Sequence, residues 1–156
     1  MSNRTLVEVL KEKKMTIAVA ESLTGGLLAS SIVDVPGASE VFLGGIVSYS
    51  HSAKAELLGV DQEFLSSHGA VNSQVAQEMC SGARKLFHSD IAISTTGVAG
   101  PGSSEGKPAG TVFVGIAMPE GIEVFSLHLE GSRQEIRDLA VNEALTLTLA
   151  RLSPDE

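Results

Sequence analysis

Ser39, Tyr49 and Lys54 stand in one short stretch of the chain, the tyrosine ten positions after the serine and the lysine five after that. A serine hydroxyl is a poor nucleophile until a neighbouring base takes its proton, and a tyrosine or lysine of lowered pKa can be that base. A lysine ammonium beside a phenol favours the phenolate, while burial pushes the lysine towards its neutral amine. Either route gives acyl transfer without histidine. The same residues also suit structural duties: a helix cap, a core-edge aromatic and a solvated helix lysine.

Other reactive groupings fail on spacing. Gly100 to Pro108 has the look of a phosphate loop, but GxxxxGK[ST] needs glycine at 101 and Ser or Thr at 108, and both are proline. His51, His68, His88 and His128 show no HxH or HExxH spacing and no cysteine cluster, so we expect no metal and no cofactor. GxSxG is absent as well. Arg133 and Arg137 lie four apart at the start of the last helix, where positive charge opposes the helix dipole by a few tenths of a kcal/mol each. A phosphate bound there would reverse that sign; exposed arginines partnered by Glu135 are the alternative.

The elements that must carry these residues alternate between helix and strand. Thr5 to Lys13 reads as a short amphipathic helix and Met15 to Ala20 as a buried strand. Glu21-Ser22-Leu23-Thr24-Gly25-Gly26 then turns into a helix from Leu27 to Val33, an arrangement that aims free N–H groups at an anion unless Ser22 or Thr24 simply caps the helix. Pro36-Gly37 ends it, and Gly44-Gly45 leads into a strand Ile46 to Tyr49. Helices follow at Ser52 to Leu58, stopped by Gly59, and from Asn72 or Ser73 to Leu86. Ile91 to Ser94 is a buried strand opening into the glycine-rich loop 95–108, where α/β proteins place ligands. Thr111 to Ala117 and Ile122 to Leu129 form a hairpin, and Ser132 with Glu135 makes a capping box for a helix running to about Leu152. The fold expected is a layered α/β domain, α/β/α, with a mixed sheet whose parallel strands come first.

With 156 residues and 43% hydrophobic content, the chain can bury a core as one domain, 1–156. Residues 1–14 match neither a signal nor a transit peptide, and no apolar run nears the roughly 20 residues a bilayer requires. One cysteine, Cys80, rules out an internal disulfide, so we expect a cytoplasmic protein. The formal charge of −8 argues against nucleic acid as the main partner but leaves room for a small anion held by local arginines.

Several ordered blocks point further: Ala20-Glu21-Ser22-Leu23-Thr24-Gly25-Gly26; Gly44 to Ser50 with Lys54 and Leu57-Leu58-Gly59-Val60; His68 to Asn72; Thr96 to Pro101 with Lys107 to Val112. Together they closely resemble the CinA C-terminal domain family over nearly the whole chain, and in particular its stand-alone bacterial form. The resemblance implies an amidohydrolase that converts nicotinamide mononucleotide to nicotinate mononucleotide and ammonia in pyridine-nucleotide salvage. It implies Ser39 as nucleophile, Tyr49 as its activator and Lys54 beside them. Substrate would be held by Ser22, Thr24, Gly25, Gly45, Thr96, Gly97 and Gly100, and its phosphate by Arg133, Arg137 or both. A homo-oligomer, dimer or higher, is expected, with no nucleic acid or membrane partner. Longer members carry an N-terminal domain linked to ADP-ribose pyrophosphatase activity, which we do not expect of these 156 residues. The family commonly has asparagine where this chain has His51. A non-catalytic nucleotide-binding or regulatory domain of the same fold is the competing expectation.

Overall fold

The computed structural model describes residues 2–153. Five strands make one sheet in the order β2-β1-β3-β4-β5, formed by β1 (Ile17–Glu21), β2 (Phe42–Val47), β3 (Ile91–Gly97), β4 (Thr111–Met118) and β5 (Gly121–His128). β1 pairs in parallel with both β2 and β3, whereas β4 and β5 are antiparallel additions. The mixed sheet with parallel strands first and a late hairpin is therefore the observed one. β1 lies between two parallel neighbours and all five of its residues are buried, which is why it reads as an unbroken apolar run rather than an alternating one.

Helices cover both faces. α1 (Ser2–Lys13), α2 (Leu27–Val33) and α6 (Arg133–Leu152) enclose one core with Ile17, Val19, Ile91, Ile93, Val112, Val114 and Ile116. The other face presents small residues, Ala20, Ala92 and Ala117, to α3 (His51–Leu58), α4 (Gln62–His68) and α5 (Ser73–Phe87). The smallness is functional for packing: a Cβ on Gly115 would lie 2.5 Å from Ser94 Oγ and 2.7 Å from the Ala76 carbonyl. α5 can therefore sit close against the sheet, and Ser94 Oγ donates to Ala76 O at 2.6 Å.

Element boundaries differ from the sequence expectation in ways that matter later. β1 runs on to Glu21, and β2 occupies Phe42 to Val47 rather than Ile46 to Tyr49, leaving Tyr49 beyond the strand. α4 was not anticipated; only Leu65 of its seven residues is buried, so its apolar periodicity is faint, and it starts on an Asp61 side chain that accepts from Glu63 N and Phe64 N. The capping box at Ser132 and Glu135 is present. Among the described residues, no helix is long and apolar enough to cross a membrane.

Parallel pairing fixes what meets what. Glu21 is level with Val47 on one side and Thr95 on the other. The residues that follow, Ser22, Ser48 and Thr96, thus emerge together at the carboxyl edge of the three parallel strands, the usual ligand edge of an open α/β sheet.

Candidate active site

Lys54 lies on the inward side of α3, and its side chain is 1% exposed. α3 is held by Ser50 at its N-terminus, whose Oγ accepts from Ala53 N, and by Gly59 at its end in the left-handed conformation with φ 73°. From that helix Lys54 Nζ donates to Ser22 Oγ at 2.8 Å and to the Ser48 carbonyl at 2.7 Å. Burial pushes the amine down from 10.5 to about 8, with the Glu105 carboxylate pulling weakly the other way. A neutral Lys54 keeps an N–H on Ser48 O and offers its lone pair to the Ser22 hydroxyl. This hydrogen-bond contact is the geometry that a serine nucleophile and its base require.

The turn carrying Ser22 is held from below and from the side. The Glu21 carboxylate, 1% exposed, accepts from the backbone N–H groups of Gly26, Leu28 and Ala29 at 3.2, 2.9 and 3.0 Å. It thereby fills the N-terminus of α2, so that helix start is closed to an exogenous anion and neither Ser22 nor Thr24 caps it. Arg137 Nε donates to Leu23 O at 2.9 Å and its Nη2 to Thr24 O at 3.3 Å. Sequence reasoning missed Glu21; its signal was a carboxylate directly between a buried strand and a serine.

Opposite this turn, the loop after β3 forms the other wall. Thr96 Oγ1 donates to the Ala70 carbonyl at 2.8 Å, and the Glu105 carboxylate accepts from Ala70 N and Val71 N at 3.1 and 3.0 Å. Glu105 reaches them from a left-handed backbone, φ 53°. Ser22, Leu23, Tyr49, His51, Lys54, Thr96, Arg133, Glu105 and the loop 97–104 enclose an open cleft of about 410 Å³, within the size range of small-molecule sites. At its rim Arg133 Nη1 donates to Gly100 O at 2.6 Å and Nη2 to Tyr49 Oη at 3.1 Å. Tyr49 is 63% exposed and bonded to Arg133 rather than to Lys54.

The structure thus gathers Tyr49, Lys54, Ser22, Thr96, Gly97, Gly100 and Arg133 around one cleft. It does not bring Ser39 there. Ser39 sits in the 3-10 turn Ala38–Glu40 ahead of β2, and six strand residues, roughly 20 Å at 3.3 Å each, carry the chain from that end of the sheet to Tyr49. The serine in contact with Lys54 comes instead from β1 through the parallel pairing. Thr24 is buried with its hydroxyl 2.8 Å from Thr95 Oγ1. Gly25, at φ 56°, packs beside the Arg137 guanidinium, and Gly45 lies in β2 where a Cβ would meet Val19. None of these three lines the cleft, nor does Arg137, whose donors are committed to the Leu23 and Thr24 carbonyls.

Comparison with known proteins bears on the family and the fold. The model of the CinA C-terminal domain matches residues 2–152. A "CinA-like protein" of Frankia casuarinae is 48% identical over 145 residues, 93% of this chain and 34% of that protein. The chain spans about a third of the length of the curated relatives it matches. The crystal structure of a competence-damaged protein (CinA) superfamily protein from Escherichia coli superposes with a TM-score of 0.92 at 32% identity, covering 95% of this chain and 87% of that one. That of competence/damage inducible protein CihA from Agrobacterium tumefaciens gives 0.91 at 34%, covering 96% and 92%.

Proposed function

The chain belongs to the CinA C-terminal domain family, and from that premise we propose that it is an amidohydrolase that deamidates nicotinamide mononucleotide, with Ser22 as nucleophile and Lys54 as its base. One observation carries the reading: a fully buried lysine, its amine pushed down to about 8, in contact at 2.8 Å with a serine hydroxyl on the floor of a cleft. The nucleotide is the substrate that the family resemblance implies. The exposed Arg133 guanidinium lines the rim and, with one N–H on Gly100 O and one on Tyr49 Oη, keeps further N–H groups for the phosphate, whereas Arg137 does not line the cleft.

The chemistry follows from these positions. Ser22 Oγ bonds to the carboxamide carbon as its proton passes to Lys54 Nζ, and the carbonyl π pair moves onto oxygen. That pair then returns, the C–N bond breaks, and the nitrogen leaves as ammonia with the proton from Lys54. Water, deprotonated by the neutral lysine, attacks the acyl-serine and releases the acid and Ser22. Tyr49 and Arg133, bonded to each other, close the rim over the ribose phosphate, and His51 borders it.

The test is ammonia release by the purified protein from nicotinamide mononucleotide, with nicotinamide riboside and nicotinamide as controls. Release from the nucleotide, much reduced for the riboside, supports the proposal. Binding of the nucleotide without release would replace it with a non-catalytic nucleotide-binding domain.

A further inference from the structure

We infer that the backbone N–H of Leu23 is the donor that receives the oxyanion; this rests on the reading of Ser22 as nucleophile. Ser22 to Gly25 is a β-turn closed by Gly25 N donating to Ser22 O at 3.1 Å, and Ser22 N donates to Thr95 O at 3.0 Å. Among the described residues, neither the Leu23 N–H nor the Thr24 N–H of this turn donates to a protein acceptor, and of the two only Leu23 lines the cleft. Leu23 is nonetheless only 5% exposed, and a buried residue with an unpaired N–H is rare enough to need a reason.

Its direction is set by the peptide. The Ser22–Leu23 bond is trans, so the Leu23 N–H points opposite to the Ser22 carbonyl and hence away from Gly25. Leu23 lines the cleft beside Ser22. The planes on both sides of the group are fixed: Ser22 O by Gly25 N, and Leu23 O by Arg137 Nε at 2.9 Å. A donor held this way, next to the attacking oxygen, is already oriented when charge develops on the carboxamide oxygen, which is the condition for strong electrostatic catalysis. The charge arises when the Ser22 Oγ–carbon bond forms and the serine proton moves to Lys54; it disappears when the carbonyl reforms and ammonia departs. Arg137 thereby acquires a role as a positioning residue for that turn.

Leu23→Pro deletes the N–H while supplying the φ that the second position of a type I or II turn accepts; Leu23→Ala keeps the N–H and removes the same side chain. The expected result is a kcat for Leu23→Pro about 10²–10³-fold below that of Leu23→Ala, with equal affinity for the nucleotide product. Equal kcat in the two variants overturns the inference. If Leu23→Pro does not fold, an amide-to-ester replacement at the Ser22–Leu23 bond removes the N–H and retains the leucine side chain; the same fall is expected, and wild-type kcat overturns the inference. Ser22→Ala is run alongside. If it remains active, the nucleophile reading fails and this inference with it; if it is dead while Leu23→Pro matches Leu23→Ala, only the oxyanion assignment fails.

Discussion

Replacing Lys54 with methionine should change how stability depends on pH more than it changes stability at neutrality. In the folded protein the amine titrates at about 8, against 10.5 for an ordinary lysine. The unfolded chain therefore binds the proton more tightly, so folding is penalised wherever the lysine is charged in both states. At about 1.4 kcal/mol per pH unit, that penalty is about 3 kcal/mol, fully present below pH 8 and relieved as pH rises to 10.5. Lys54→Met removes it, but strands the buried Ser48 carbonyl and the Ser22 hydroxyl, roughly 1–3 kcal/mol of loss. The two nearly offset, and we expect the variant at pH 7 to be as stable as the wild type or slightly more so. Between pH 7 and 9.5 the wild type should then gain about 2 kcal/mol relative to Lys54→Met, the part of the window covered by those values. Urea unfolding of both proteins at the two pH values reads this directly. A difference that does not move with pH would refute the lowered amine, and with it the idea that burial makes Lys54 a base.

The same amine should shape activity: kcat/KM for the nucleotide rises with pH to a limb near 8, where Lys54 loses its proton. Glu105→Gln should shift that limb to lower pH, because the carboxylate's charge holds the lysine up; a drop in rate with an unmoved limb would mean that Glu105 only ties the loop to Ala70 and Val71. Arg133→Ala should raise KM for the nucleotide by more than tenfold and erase its preference over the riboside, whereas Arg137→Ala should lower kcat with little change in KM, both read by steady-state kinetics. Gly115→Ala should lower Tm markedly, since the methyl would meet Ser94, the Ala76 carbonyl and Cys80 between α5 and the sheet.

How much of this was legible beforehand varied with the kind of signal. Buried strands such as Ile91 to Ser94, the Gly59 stop and the Ser132–Glu135 box are local patterns, and the structure carries them. α4 escaped because one buried leucine makes no periodicity. Ser39 illustrates the limit of reading chemistry from nearness in sequence. Tyr49 and Lys54 follow β2 at one edge of the sheet, and Ser39 precedes it at the other; the matching serine is level with them only because β1 and β2 run parallel. Ser22 itself was visible in the polar, glycine-rich turn between a buried strand and a helix, but not its contact with a lysine 32 positions later. Glu105 had no readable signal, being one exposed carboxylate in a polar loop whose role depends on where Ala70 and Val71 fall.

Ser22, and not Ser39, is the serine proposed as the nucleophile paired with Lys54. The most direct test is ammonia release from nicotinamide mononucleotide by Ser22→Ala and Ser39→Ala measured side by side. Ser22→Ala should lose activity by about 10³-fold or more while Ser39→Ala stays near wild type; activity retained in Ser22→Ala and lost in Ser39→Ala would contradict the account.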